Sequence, residues 1–127
     1  MLKMNKRRVN ELIPKVIEYI PSSGILIDNE IPNEFKGYVS SFGASIIQSG
    51  ILSTVAFFSN PDSAAKKDRV EIINIIYNIM DKKFPHNKEE GLLSYLLNNK
   101  EHIDDIKEEI INVAIALKLG MRVFKFK

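Results

Sequence analysis

The 127-residue sequence contains no cysteine and only two histidines. Without cysteine the chain forms neither disulfides nor thiolate metal sites, and a reducing cytoplasm is its simplest compartment. His86 and His102 belong to no HExxH or HxxxH pairing, so we expect no metal site. There is no GxGxxG, P-loop or GxSxG motif, and no serine has a plausible histidine partner. The sequence therefore predicts no enzyme, no cofactor and no small-molecule substrate.

Charge is almost missing from residues 42–59, FGASIIQSGILSTVAFFS. This stretch is nearly long enough to span a membrane, but its middle carries serines, a glutamine, a threonine and a glycine, which makes a span unlikely. The N-terminal residues turn polar at once and form no apolar signal-peptide core. We therefore expect no membrane association.

Hydrophobic residues make up 45% of the chain and charged residues 27%, as in ordinary globular proteins. This balance and the chain length suit a single domain over residues 1–127. Apolar side chains recur at spacings of three and four, which predicts a compact all-α bundle of about six helices. The predicted helices cover roughly 4–20, 33–50, 51–58, 62–82, 91–99 and 104–124. Residues 21–33 are predicted to be a loop without a sheet partner.

Local signals refine this prediction. Pro14 lies off the apolar stripe of the first helix and should kink that helix without ending it. Asn33 is a plausible N-cap for the second helix, and Gly50 is placed to end it in a left-handed conformation. Residues 42–59 are then a helix end, a glycine turn and a short buried helix. The predicted core face of the last helix is Ile106, Ile110, Val113, Leu117 and Met121.

Basic residues are concentrated at both ends of the chain, although the net charge is only +2. The predicted phosphate-binding residues are Lys118, Arg122 and Lys125, which form one stripe at i, i+4 and i+7 of the last helix, followed by Arg7, Arg8 and Lys15. A solvated face, or cations that complement a helix C-terminus, would explain either end alone. Both ends together favour a polyanion or an acidic protein. No aromatic platform for stacking bases is evident, so we expect binding that ignores nucleotide sequence.

Two further charged clusters have simpler interpretations. Lys66, Lys67 and Arg69 are a third candidate, but Asp68 among them favours an ordinary solvated helix start. An acidic cluster opens the last predicted helix, where negative charge complements the helix dipole better than it suggests a metal site. Its members are Asp104, Asp105, Glu108 and Glu109.

Three segments resemble the small subunit of the Cmr complex, the type III-B CRISPR RNA-guided effector. They are the basic opening helix NKRRVNELIPKVIEYI, the glycine-turn segment YVSSFGASIIQSGILSTVAFFS and the closing helix EEIINVAIALKLGMRVFK. Lys118 and Arg122 lie near the basic pair of that family's closing helix. Members commonly carry basic residues in the helix before the glycine turn, where this chain has Ser40 and Ser41 and keeps only Lys36.

The resemblance implies a non-catalytic scaffold that serves antiviral defence. Small subunits of these complexes stack in a short filament and help hold the groove where guide RNA pairs with target RNA. The implied partners are the backbone and large subunits of the complex, neighbouring copies of the chain, guide RNA and target RNA. Alternatives are the small subunit of the related type III-A complex and a stand-alone helical adaptor that binds an acidic protein. A helix-turn-helix DNA regulator is less favoured, because the helix after Gly50 is too apolar to read bases.

Overall fold

A computed structural model describes residues 5–60, 66–87 and 90–126, and only the backbone of residues 66–68. Within these ranges the chain forms six α-helices and two strands of two residues each, which confirms the all-α prediction. The helices are α1 Lys6–Tyr19, α2 Glu34–Ser49, α3 Ile51–Phe58, α4 Lys66–Ile79, α5 Leu92–Asn98 and α6 Ile103–Gly120. Short 3₁₀ turns cover Ile20–Ser22, Lys100–His102 and Met121–Val123.

Each of the six helices contributes apolar side chains to one continuous core. On α1 these side chains are Val9, Leu12 and Val16, which recur at three and four residues and so face one side. The five predicted core residues of the last helix are all buried, although Met121 lies in the 3₁₀ turn that follows α6. The helical periodicity therefore identified the buried face correctly.

The helices α1 and α6 pack against each other and run in the same direction. The backbone N–H of Asn5, just before α1, donates to Asn112 Oδ1 at 3.0 Å. Near the other end of α1, Val16 lies against Gly120, where an added Cβ would stand only 2.7 Å from Val16 Cγ1. A side chain at position 120 would force the two helices apart. The first helix also continues through Pro14, as predicted.

The structure corrects two predictions about irregular segments. Residues 21–33 are not only loop, because Glu30 and Ile31 form β1 and pair in parallel with β2, Lys125–Phe126. Asp28 and Asn29 have positive φ and form the two-residue turn that bridges Ile27 to Glu30. The last helix ends at Gly120 rather than near residue 124, so Lys125 lies on a strand and not on a helical stripe with Lys118.

Two smaller features of the helix ends also differ, and a third prediction is untested. Asn33 precedes α2, but its side chain makes no capping hydrogen bond because the residue itself is in a helical conformation. The fourth helix ends at Ile79 rather than at residue 82. Its predicted start at residues 62–65 lies outside the described residues.

The glycine turn inside residues 42–59 is confirmed. Gly50 has φ +87° and ψ 167°, a backbone region that is essentially reserved for glycine. The turn brings α3 back along α2, so that Phe42 and Phe58 meet edge to face with ring centroids 5.2 Å apart. Thr54, buried in α3, satisfies its hydroxyl by donating to the Gly50 carbonyl at 2.8 Å.

We expect Gly50→Ala to lower the free energy of unfolding by about 1–3 kcal/mol, because alanine is strained at this φ and ψ. The added Cβ itself meets no atom within 4 Å, so the cost comes from the backbone alone. Gly37→Ala is the matched control, since its Cβ also enters open space but lies within α2. Gly37→Ala should raise the free energy of unfolding by about 0.5–1 kcal/mol. Urea unfolding measures both, and equal stability of the two variants would contradict the strain argument.

Candidate nucleic-acid interface

Three cations from separate elements converge beside the C-terminal end of α6. Lys118 lies in the last turn of α6, Arg122 in the following 3₁₀ turn and Lys36 near the start of α2. They line one small cavity of about 110 Å³, which we call the basic pocket. The other lining residues are Val39, Ser40, Met121 and Phe126, so no carboxylate of the described residues lines the pocket. Within that part of the chain the charge of the lining is therefore only positive.

The short parallel sheet completes this pocket. Pairing of Phe126 with Ile31 holds the aromatic ring in place. Lys36 Nζ then lies 4.1 Å from the centroid of the Phe126 ring, a cation–π contact. Lys36 was not among the predicted site residues. Its signal in the sequence was that it is the only basic residue of α2.

Lys125 lies apart from this pocket, on β2. Its ammonium nitrogen is 4.0 Å from Glu30 Oε2, and its side chain is 82% exposed. An ion pair this long and this exposed contributes little to stability. The side chain of Lys125 is therefore free to exchange Glu30 for another anion.

Arg8, a predicted phosphate ligand, is held by carboxylates. Its Nε and Nη2 donate to Glu109 Oε1 and Oε2 at 3.0 and 2.6 Å, and Nη1 donates to Glu11 Oε2 at 3.3 Å. This is the bidentate geometry in which arginine binds a carboxylate most strongly. Glu109 Oε2 also accepts the backbone N–H of Asp81 at 2.9 Å. The charge of Arg8 is therefore compensated inside the fold.

The cleft around Arg8 is acidic. It has a volume of about 540 Å³ and is lined by more carboxylates than cations. The charged lining residues are Glu11, Asp81, Asp105, Glu108 and Glu109 against Arg8 and Lys83. Such a surface repels phosphate.

The remaining predicted cations do not line the basic pocket. Arg7 is 92% exposed and reaches Glu11 only at 4.0 Å, and Lys15 is exposed farther along α1. Arg69 places its guanidinium carbon 4.8 Å from the centroid of the Phe57 ring, where it covers an exposed aromatic side chain. The side chains of Lys66 and Lys67 lie outside the described part of the chain.

An apolar groove leads away from the basic pocket between α2 and α6. It has a volume of about 280 Å³, and we call it the α2–α6 groove. Its lining residues are Val39, Ser40, Gly43, Ile46, Ile47, Ile111, Ala114, Ile115 and Lys118. Val39, Ser40 and Lys118 also line the basic pocket, so the two depressions are adjacent.

The described ranges contain neither a metal-binding cluster nor a membrane-spanning helix. No group of three or more histidine and acidic side chains there is arranged to hold a metal ion. None of the helices there is both long enough and apolar enough to cross a bilayer. His102 stacks on Phe84 with a centroid separation of 3.9 Å, so its ring takes part in packing.

A family model described as CRISPR-associated protein (Cas_Cmr5) matches residues 4–118. The match covers most of the chain and confirms the resemblance; it includes the first two resembling segments and the third as far as Lys118. No curated protein and no solved structure matches the chain significantly.

We expect Glu109→Gln to lower the free energy of unfolding by about 1–3 kcal/mol at neutral pH, because it weakens bonds to a largely buried arginine. Partial burial acts to raise the pKa of Glu109, but the hydrogen bonds from Arg8 and the Asp81 amide outweigh it and hold this pKa below its usual range. A carboxylate whose pKa falls on folding stabilises the protein above its ordinary pKa, near 4.5. That stabilisation is lost as the pH falls through the lowered value.

The difference between wild type and Glu109→Gln should therefore shrink as the pH drops below about 4.5. Urea unfolding at a series of pH values measures it. Glu108→Gln removes the same charge from the adjacent, exposed position and should change stability by less than about 0.5 kcal/mol. A difference for Glu109→Gln that persists unchanged in acid would show that the ion pair contributes nothing.

Proposed function

The chain belongs to the Cas_Cmr5 family, the small-subunit family of the type III-B CRISPR Cmr complex, and on that premise we propose a non-catalytic role in holding RNA. Family membership implies assembly with other Cmr subunits. In the proposal, the chain helps to hold the groove in which guide RNA pairs with target RNA. Copies of the chain lie side by side along the backbone of the complex, in the cytoplasm, and serve antiviral defence.

The observation that carries this proposal is the basic pocket. Lys36, Lys118 and Arg122 meet there with no acidic residue in the lining. Cations gathered without a carboxylate attract phosphate, and contacts to the phosphate backbone do not depend on base sequence. A subunit that holds many different guides needs contacts of this kind.

The structure changes the order of the RNA-binding residues that we propose. Lys118 and Arg122 stay first, and Lys36 joins them because it lines the same pocket. Lys125 lies on the strand that also carries Phe126 of this pocket, and it supplies a contact at the edge. Arg7 and Lys15 stay as proposed contacts on the exposed side of α1.

Arg8 leaves this set, because a phosphate would have to displace Glu109 from a bidentate pair. We assign it a structural role. We also propose that the helices act as one domain, because the core joins all six of them.

The proposal is tested by reversing charge in the basic pocket of the assembled complex. We expect the double variant Lys118→Glu, Arg122→Glu to weaken the binding of target RNA about tenfold or more, which corresponds to 1.4 kcal/mol. The slope of the logarithm of the binding constant against the logarithm of the salt concentration should decrease in magnitude by about 1.5, since each lost phosphate contact removes roughly 0.7–0.9 from it. Filter binding of labelled RNA at several salt concentrations measures both quantities.

The matched control is the double variant Lys100→Glu, Lys107→Glu, which makes the same charge change around the N-terminal end of α6. It should leave affinity and slope unchanged. Equal losses in both variants would point to net charge rather than to this pocket. An unchanged slope in the Lys118 and Arg122 variant would refute the proposed contacts.

A further inference from the structure

We propose that the α2–α6 groove is the docking site for an acidic amphipathic helix of another protein subunit. The inference rests on the proposed function only because it requires a multisubunit complex. It assigns the depression next to the basic pocket and a different class of ligand, a protein helix rather than RNA.

The groove is apolar and open to solvent. Val39, Ile46 and Ala114 are buried and form its floor. Ile47 stands on its wall with 71% of its surface exposed, the highest value among the exposed large apolar side chains. An apolar depression beside a prominent aliphatic side chain is the usual mark of a protein contact.

Its dimensions suit two turns of a helix. The lining residues of α2 run from Val39 to Ile47, which is about 12 Å of helix at 1.5 Å per residue. Gly43 lies in the middle of this run, and a Cβ added there would meet no atom within 4 Å. The absence of a side chain at Gly43 lets a second helix approach the backbone of α2 closely.

The charge of the groove specifies the occupant. The lining at one end, Ile47 and Ile111, is uncharged, whereas the other end meets the basic pocket at Lys118. No acidic side chain of the described residues lines either depression. A complementary helix therefore has aliphatic side chains at i and i+4, followed within about two turns by a carboxylate that reaches Lys118.

A second copy of this chain fits the groove poorly. Among the exposed apolar side chains of the described residues, Leu119 and Val123 have a spacing of four residues. They are flanked by Lys118 and Arg122, which would bring like charge onto the basic end of the groove. The charge pattern thus favours an acidic partner of different sequence.

A photocrosslinking amino acid in place of Ile47, in the complex purified from cells, tests the inference directly. We expect a crosslink to one protein segment that has aliphatic residues at i and i+4 and a nearby acidic residue, identified by mass spectrometry. The same amino acid in place of Gly37, which lies on α2 but does not line the groove, should give at least tenfold less of that crosslink. A crosslink at position 47 to RNA, to another copy of this chain or to nothing would overturn the inference.

Filling the groove gives a second test. Gly43→Leu should reduce capture of that partner at least tenfold, while Gly37→Leu should leave it unchanged. Both variants replace a helical glycine in open space by a better helix former, so both should keep or raise the Tm of the isolated subunit. Unreduced capture by a folded Gly43→Leu variant would overturn the inference.

The two proposals fail in distinguishable ways. Normal RNA binding by the complex without a crosslink at position 47 overturns the docking inference alone. A groove crosslink that persists while RNA binding ignores Lys118 and Arg122 overturns the proposed RNA contacts alone.

Discussion

The close approach of α1 and α6 at Gly120 is the constraint on which the rest of this structure depends. With a Cβ there only 2.7 Å from Val16, the helices could not meet, and the parallel pair that anchors the core would open at one end. The same glycine ends α6, after which a 3₁₀ turn leads the chain into β2. Because β2 pairs with β1, Phe126 comes to lie under Lys36. The basic pocket therefore exists because the last helix stops where it does.

A second constraint separates the charges along α6. Its first turns carry carboxylates that face the acidic cleft, and its last turn and the turn beyond carry two of the three cations of the basic pocket. Both arrangements agree with the helix dipole, so neither requires a ligand for its stability. The two ends of α6 differ in whether their charge is paired. Near the first turns, Arg8 forms a bidentate pair with Glu109 of the acidic cleft. Near the last turn, no carboxylate of the described residues lines the basic pocket.

The sequence predicted the helices well because their apolar residues keep a spacing of three and four. In α4, whose β-branched residues favour strands, the polar residues Glu71, Asn74 and Asn78 keep that spacing instead. Gly50 was also predictable, since glycine is the residue that most often ends a helix with a positive φ. The parallel pairing of β1 and β2 was not, because it joins segments about 95 residues apart and each strand has only two residues. The prediction that Lys118, Arg122 and Lys125 form one helical stripe was wrong for the same reason, because β2 takes Lys125 out of the helix. The pairing of Arg8 was not predictable either, because its partner Glu109 lies 101 residues away and a charge count over residues 1–15 cannot detect that neighbour.

The position of the basic pocket beside the α2–α6 groove explains how so few cations could serve a scaffold. Two or three phosphate contacts give weak binding that fades as salt rises, and they do not fix the position of a subunit along an RNA. An apolar contact has the opposite properties, because it is insensitive to salt and defines orientation through shape. A subunit anchored by its groove would hold its basic pocket beside the RNA at high effective concentration, so each weak contact would count fully. Lys118 borders both depressions, so a partner carboxylate and an RNA phosphate would share the three N–H donors of one ammonium group. The protein partner would then fix the position of the subunit in the complex. The phosphate contacts would let the subunit bind RNA of any sequence.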